Sequence, residues 1–214
     1  DTVAFRGMTS PMGSPARALY LDRALSLAPY DGRYATELGR TLLARAFIVA
    51  DTTRRREELA LARAAFERAV QISTQEGELH ALLARTMAAQ AVASPGGQDL
   101  GRLRAEFARA VALEPENPNV LELAAQGYLE LGLTKDARAM ALECAGLFPD
   151  YAMPLADLGV AALLEGRADA AADTLTLALQ RNWHGEEAAA MAAKSNYVAA
   201  LRELRLRDLM KEKR

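Results

Sequence analysis

The chain has 214 residues, 51% hydrophobic and 25% charged, with 26 basic and 28 acidic side chains that leave a net charge of −2. Such a length supports a substantial core, and the near balance of charge excludes a global attraction to nucleic acid or to an anionic membrane. A single cysteine, Cys144, excludes an internal disulfide and a cysteine-based zinc site.

No uncharged apolar run reaches the roughly 18 residues of a spanning helix, and the first residues lack the basic-then-apolar order of a signal peptide. The sequence begins at Asp1 rather than Met, which suits a trimmed piece of something longer. Alanine (46) and leucine (33) dominate while aromatics make up only 6%, the composition of a helical protein. In chain order, residues 1–14 carry Gly7, Pro11 and Gly13 with little periodicity and read as a partly ordered leader. Helices are predicted over 15–28, 32–50 and 54–73, the second running through the apolar stretch Thr41 to Val49 and the third opening on Arg54-Arg55-Arg56-Glu57-Glu58. A helix over 77–93 runs into Ser94-Pro95-Gly96-Gly97, a loop. Further helices are predicted over 99–113, 118–131, 134–147, 152–165 and 168–181, followed by a long one over 186–211.

These helices repeat. Ala137 to Pro149 aligns with Ala171 to Trp183, and Leu121 to Gly132 with Leu155 to Gly166, each at an offset of 34. The same step separates Pro115 from Pro149 and links Ala110, Cys144 and Ala178. In the first helix of each pair the slots for a small residue and a large one hold Leu38-Gly39 with Leu42, Leu83-Ala84 with Met87, Ala124-Ala125 with Tyr128, and Leu158-Gly159. The second helix carries Ala62, Phe66 and Ala69, or Phe107, Ala110 and Pro115, or Ala24 and Pro29. Small residues at fixed positions let helices approach to about 8–10 Å while larger neighbours fill the gaps. Gly132 and Gly166 stand where a left-handed turn ends the first helix, and each proline closes the second. Together these residues resemble the tetratricopeptide repeat (TPR), a helix-turn-helix unit.

The resemblance implies an all-α fold, a right-handed superhelix of stacked hairpins over 15–183 with about four repeats and a leading half-repeat, closed by a capping helix over 184–214. From Ala24 to Ala69 is 45 residues and from Ala69 to Ala110 is 41, so the first two repeats are elongated between their helices. A terminal repeat exposes an apolar face, and Ala193, Tyr197, Ala200, Leu201 and Leu204 form the predicted stripe that covers it. A second stripe, Leu206, Leu209 and Met210, suits self-association. The layout of Ala24 to Pro29, Asp31, Tyr34 and Leu38-Gly39, with one long, one moderately long and two regular repeats after it, resembles the soluble repeat region of bacterial O-antigen ligase or polymerase-like membrane proteins. That likeness implies an accessory domain in cell-surface polysaccharide assembly, attached to an inner-membrane protein, with no glycosyl-transfer chemistry of its own.

Catalytic raw material is thin. His80 falls on a packed helix face, Cys144 occupies the small-residue slot of Ala110 and Ala178, and His184 with Glu187 makes at most two metal ligands. Pro95-Gly96-Gly97 lacks the Gly-Lys-Ser/Thr of a phosphate loop. The Arg54–Arg56 run has glutamates beside it and no interleaved aromatics to stack bases. We therefore expect no catalytic residue, metal or cofactor, and no nucleic-acid binding. Recognition is expected on the inner helix of each repeat, where the family's ligand-facing positions fall on Arg33, Thr36, Arg40, Arg85, Asn119, Glu122, Gln126, Met153 and Val160. The partner so implied is a protein or peptide. A basic end formed by Arg33, Arg40 and Arg85 also suits an anionic saccharide. The clamp for acidic chaperone tails needs Lys and Asn where this chain has Thr36 and Arg40, so that ligand is not expected.

Overall fold

Side-chain caps start five of the helices. In the computed structural model, which describes residues 2–94, 99–181, 183 and 187–212, α1 spans Thr2–Thr9, α2 Pro15–Leu27, α3 Gly32–Ile48 and α4 Thr52–Ile72. The chain continues with α5 (Gly77–Ala93), α6 (Leu100–Leu113), α7 (Pro118–Glu130), α8 (Thr134–Leu147), α9 (Ala152–Leu164), α10 (Ala168–Leu179) and α11 (Glu187–Glu212). Ser14, Asp31, Asp51, Asp99 and Asn117 each accept a backbone N–H at the start of the helix that follows. Each such cap removes one of the unsatisfied donors of a helix start, worth about 1 kcal/mol. No strand occurs among the described residues. The helices of the elongated repeat meet as predicted: α3 and α4 are long, and Arg55 donates from Nε and Nη2 to the Val49 carbonyl at the turn between them. Pro95, Gly96 and Gly97 of the second insertion lie outside the described residues.

The chain divides into two compact units, Asp1–Pro115 and Glu116–Arg214. In the first, α1 packs on α2, α2 on α3, α3 on α4, α4 on α5 and α5 on α6. In the second, α7 packs on α8, α8 on α9, α9 on α10, and α11 against α10 and α9. The packing is close because glycine faces a large side chain. A Cβ at Gly39 would stand 2.7 Å from the Phe66 ring, and one at Gly159 2.5 Å from Leu175 Cγ. Phe66, Phe107, Leu21, Leu59, Leu83, Met87 and Leu103 form the fully buried interior of the first unit. Leu121, Val120 and Leu175 play that part in the second.

The leader expected over 1–14 proves to contain a helix. Gly7 of α1 lies against Leu21 of α2, and the buried Arg17 binds the C-terminal end of α1 through Nη1, which donates to the carbonyls of Met8 and Ser10 at 2.9 and 2.8 Å. Its Nη2 donates to Glu37 and its Nε to Thr41, both on α3. The turn between α1 and α2 holds Gly13 at φ +74°, two residues before α2, just as Gly132 (φ +69°) and Gly166 (φ +71°) stand two residues before α8 and α10. The leading half-repeat is thus a whole hairpin. Too few apolar positions in eight residues make that helix visible as a period.

The last helix covers part of the second unit. Ala193 joins Ala156, Leu175 and Ala178 in one buried cluster, with Trp183 and Tyr197 against it. Ala200 joins Ala162, Ala171 and Ala172 in another, with Tyr197 and Leu204 against it. Leu201, included in the predicted stripe, is instead 43% exposed, since the step of seven from Ala193 to Ala200 sets the buried edge. The side chains of Leu206, Leu209 and Met210 lie outside the described residues.

Two outcomes follow from this packing. Gly39→Ala and Gly159→Ala, where a methyl meets ring or branch carbons, should each cost about 1–3 kcal/mol in urea denaturation. Gly146→Ala on α8, with open space around the added carbon, should instead stabilise by about 0.4–1 kcal/mol. Truncation after Ala193 removes Tyr197, Ala200 and Leu204 from their contacts and should produce aggregation or a marked fall in melting temperature. Removal of Lys211 to Arg214 alone should leave the melting curve unchanged.

Candidate functional site

In the first unit several of the residues expected to face a partner are tied into pairs by opposite charge or by an aromatic ring. Arg40 of α3 meets Glu78 of α5, Nη2 to Oε1 2.5 Å, with about a third of each side chain exposed. The Arg85 guanidinium of α5 lies 5.7 Å from the centre of the Phe47 ring at the end of α3, a cation–π contact worth about 0.5–2 kcal/mol. Thr36 turns its hydroxyl back onto the Gly32 carbonyl. Arg33 is largely exposed and folds onto Asp31 at 2.7 Å; this hydrogen bond holds the Asp31 carboxyl below its usual range. The contacts of Arg33, Arg40 and Arg85 are therefore strung along α3 from its first turn to Phe47, about 20 Å at 1.5 Å per residue. They do not surround one point, as a compact anionic saccharide site built from all three would need.

In the second unit the carboxylate of Glu122 on α7 is fixed from two sides. Its Oε1 accepts from Gln126 Nε2 at 2.8 Å, and its Oε2 accepts from the Tyr151 hydroxyl at 2.6 Å, just before α9. Asn119 is exposed and lines, with Pro118, Phe148, Pro149, Asp150 and Tyr151, a cavity of about 500 Å³. Val160 is half-buried, whereas Met153 is only 6% exposed and offers a partner little surface. Phe47 and Tyr151 escaped the sequence reading. Phe47 carries a usable signal, seven residues after Arg40 and so on the same helical face. Tyr151 is found only once the turn before α9 is folded.

The groups that chemistry would need are withdrawn. His80 is 4% exposed, its Nδ1 2.7 Å from Glu106 Oε2 and its Nε2 3.3 Å from the Thr74 carbonyl, which ties it to the helix that follows and to the turn that precedes it. Cys144 is 1% exposed, and its thiol is pushed up to about 12 by burial, with Glu122, Asp157 and Glu143 adding to it. No cluster of three metal-binding side chains occurs among the described residues; His184 lies outside them, as does the Glu187 side chain. No helix among the described residues is long and apolar enough to cross a membrane.

Hairpins of helices stacked in sequence, two of them closed where a glycine meets a large side chain, have the fold of TPR proteins. Solved structures agree. A TPR protein of Thermus thermophilus, TTC0263, superposes with a TM-score of 0.65 at 19% identity, over 87% of this chain and 89% of that one. YrrB, a TPR protein with an unusual peptide-binding site, gives 0.54 at 16% identity over 84% and 82%. The protein MamA gives 0.54 at 16% identity over 77% and 80%. No protein-family model matches the chain, and no curated protein matches it in sequence.

The Cys144 environment is testable through pH. Burial favours the neutral thiol in the folded state, so the unfolded chain loses its proton first as pH climbs from the ordinary value of 9.0 toward about 12. Stability should therefore fall across that window by about 1 kcal/mol at roughly pH 10, and Cys144→Ala should remove that part of the fall in urea titrations at the two pH values. Native labelling by a thiol reagent at neutral pH should be far slower than labelling in denaturant.

Proposed function

We propose that the chain is a non-catalytic scaffold that holds a protein or peptide partner on the faces of α3 and α5 in the first unit and of α7 and α9 in the second. The Arg40–Glu78 pair carries this reading. It is a partly exposed ion pair between the first helices of successive repeats, ordered and still able to exchange one partner for a ligand's charge. Arg85 over Phe47 adds a flat cationic and aromatic surface of the kind enriched where proteins bind one another. The Glu122 carboxylate, aligned by Gln126 and Tyr151, is a ready acceptor for a backbone N–H or a cationic side chain. The peptide-binding site named for YrrB, a protein of the same fold, gives the reading a precedent. The reading as an accessory domain of a polysaccharide ligase or polymerase gains no support from the similar structures named above.

The test is selection of peptides from a displayed library against the full chain, followed by affinity measurement on variants. Arg40→Ala combined with Arg85→Ala, or Glu122→Ala, should weaken the selected peptides by about tenfold or more, with the melting temperature within a few degrees of the parent. Leu61→Ala, on the exposed side of α4, should leave them unaffected. Selected peptides that ignore all the inner-face variants would place recognition elsewhere, and failure to select any would remove the scaffold reading.

A further inference from the structure

The arginine run at 54–56 separates once folded. Arg54 is exposed beside the N-cap Asp51, Arg55 is spent on the Val49 carbonyl, and Arg56 turns toward α5. There Arg56 donates from Nε to the Ala93 carbonyl at 2.8 Å. Two helical turns on, Arg63 donates from Nε to Glu67 and from Nη1 to Gln90 Oε1 at 3.4 Å. Between them lies a cavity of about 240 Å³ walled by Arg56, Leu59, Arg63, Gln90, Ala93, whose carbonyl is taken up by Arg56, and Ser94.

What remains on that wall has one chemical character. Gln90 has its oxygen turned to Arg63, so its amide nitrogen is left to donate. Neither Nη of Arg56, nor Nη2 of Arg63, has an acceptor among the described residues. Ser94 adds a hydroxyl, and among the described residues no carboxylate lines the cavity. Glu67, the acid that holds Arg63, is shared with Arg102 at 3.0 Å, and Arg102 lies 4.0 Å from Glu106, so neither acid is turned to Arg56. A pocket of donors with two guanidinium groups is complementary to a ligand that only accepts and carries negative charge. Its volume equals that of about eight waters, which suits one tetrahedral oxyanion with its hydration and is small for an oligosaccharide or a whole nucleotide. Planar guanidinium forks bind phosphate oxygens two at a time, which an ammonium does not.

We propose that this cavity between the first half of α4 and the last turn of α5 binds a phosphate group. The site is separate from the inner-face residues and does not depend on the scaffold reading. Its ligand is either the free ion or a phosphorylated side chain on a partner, and the two are told apart by probe.

The experiment is isothermal titration of the full chain with inorganic phosphate, and separately with N-acetyl-phosphoserine amide, at constant ionic strength and about pH 7.5, where a phosphomonoester is mostly dianionic. Binding should be saturable, weakened about tenfold or more by Arg56→Gln and by Arg63→Gln, and unchanged by Arg54→Gln. Arg63→Lys guards against a folding defect, since it keeps the charge facing Glu67 while removing the fork; it should melt like the parent and still bind phosphate more weakly. A stronger response to inorganic phosphate assigns the free ion, and a stronger response to the phosphoserine amide assigns a modified partner. Absence of heat with both probes, or binding that survives Arg56→Gln and Arg63→Lys undiminished, overturns the proposal.

Discussion

The contact on which the rest depends is a missing methyl group. Where Gly39 meets the Phe66 ring, and where Gly159 meets Leu175, two helices approach more closely than any side chain on the small partner would permit. Ala110, Cys144 and Ala178 serve the same end at the last turn of the second helix, and each is all but fully buried. Close approach turns a modest apolar content into dense packing, and dense packing is what gives long, alanine-rich helices with few aromatics a defined place. The charged pairs on the inner face then become possible. Arg40 reaches Glu78 because α3 and α5 are held at a spacing that two long side chains can span.

That dependence explains why the hairpins were legible and why other features were not. A period of 34 is written by glycine, alanine and proline, residues whose role is steric and local, and their positions predict the helices from α2 to α11 to within about two residues. Gly13 belongs to the same set, but the short helix before it offers no period from which to recognise it, so α1 is visible only in the folded chain. Register alone is enough to put Arg40, Glu122 and Gln126 among the residues expected to face a partner. Which of them are paired does not follow from it, because Glu78, Phe47 and Tyr151 come from other elements, and a pair across helices leaves no spacing in a single sequence. Met153 shows the complementary limit: its register position is right for the face, yet packing has withdrawn it.

Among the described residues many charges are met by a partner close at hand. Arg33 with Asp31, Arg40 with Glu78, Arg45 with Glu58, and Glu67 with Arg63 and Arg102 are all local. Such pairs contribute little to stability at the surface. Their effect on recognition is larger, since a ligand must offer a better partner than the one already in place, which favours a well-matched sequence over any strongly charged one. Beside Arg56 donors are left over.

Arg17 gives the first hairpin a particular kind of behaviour. Its single guanidinium holds two carbonyls at the end of α1, a carboxylate and a hydroxyl of α3, and is itself 7% exposed. Loosening of α1 from Thr2 onward leaves the Met8 and Ser10 carbonyls on that cation, whereas release of its last turn would strip a buried charge of two acceptors and is the costlier step. The amides of α1 should consequently exchange in a gradient, fastest at the free end and slowest in the turn that Arg17 holds.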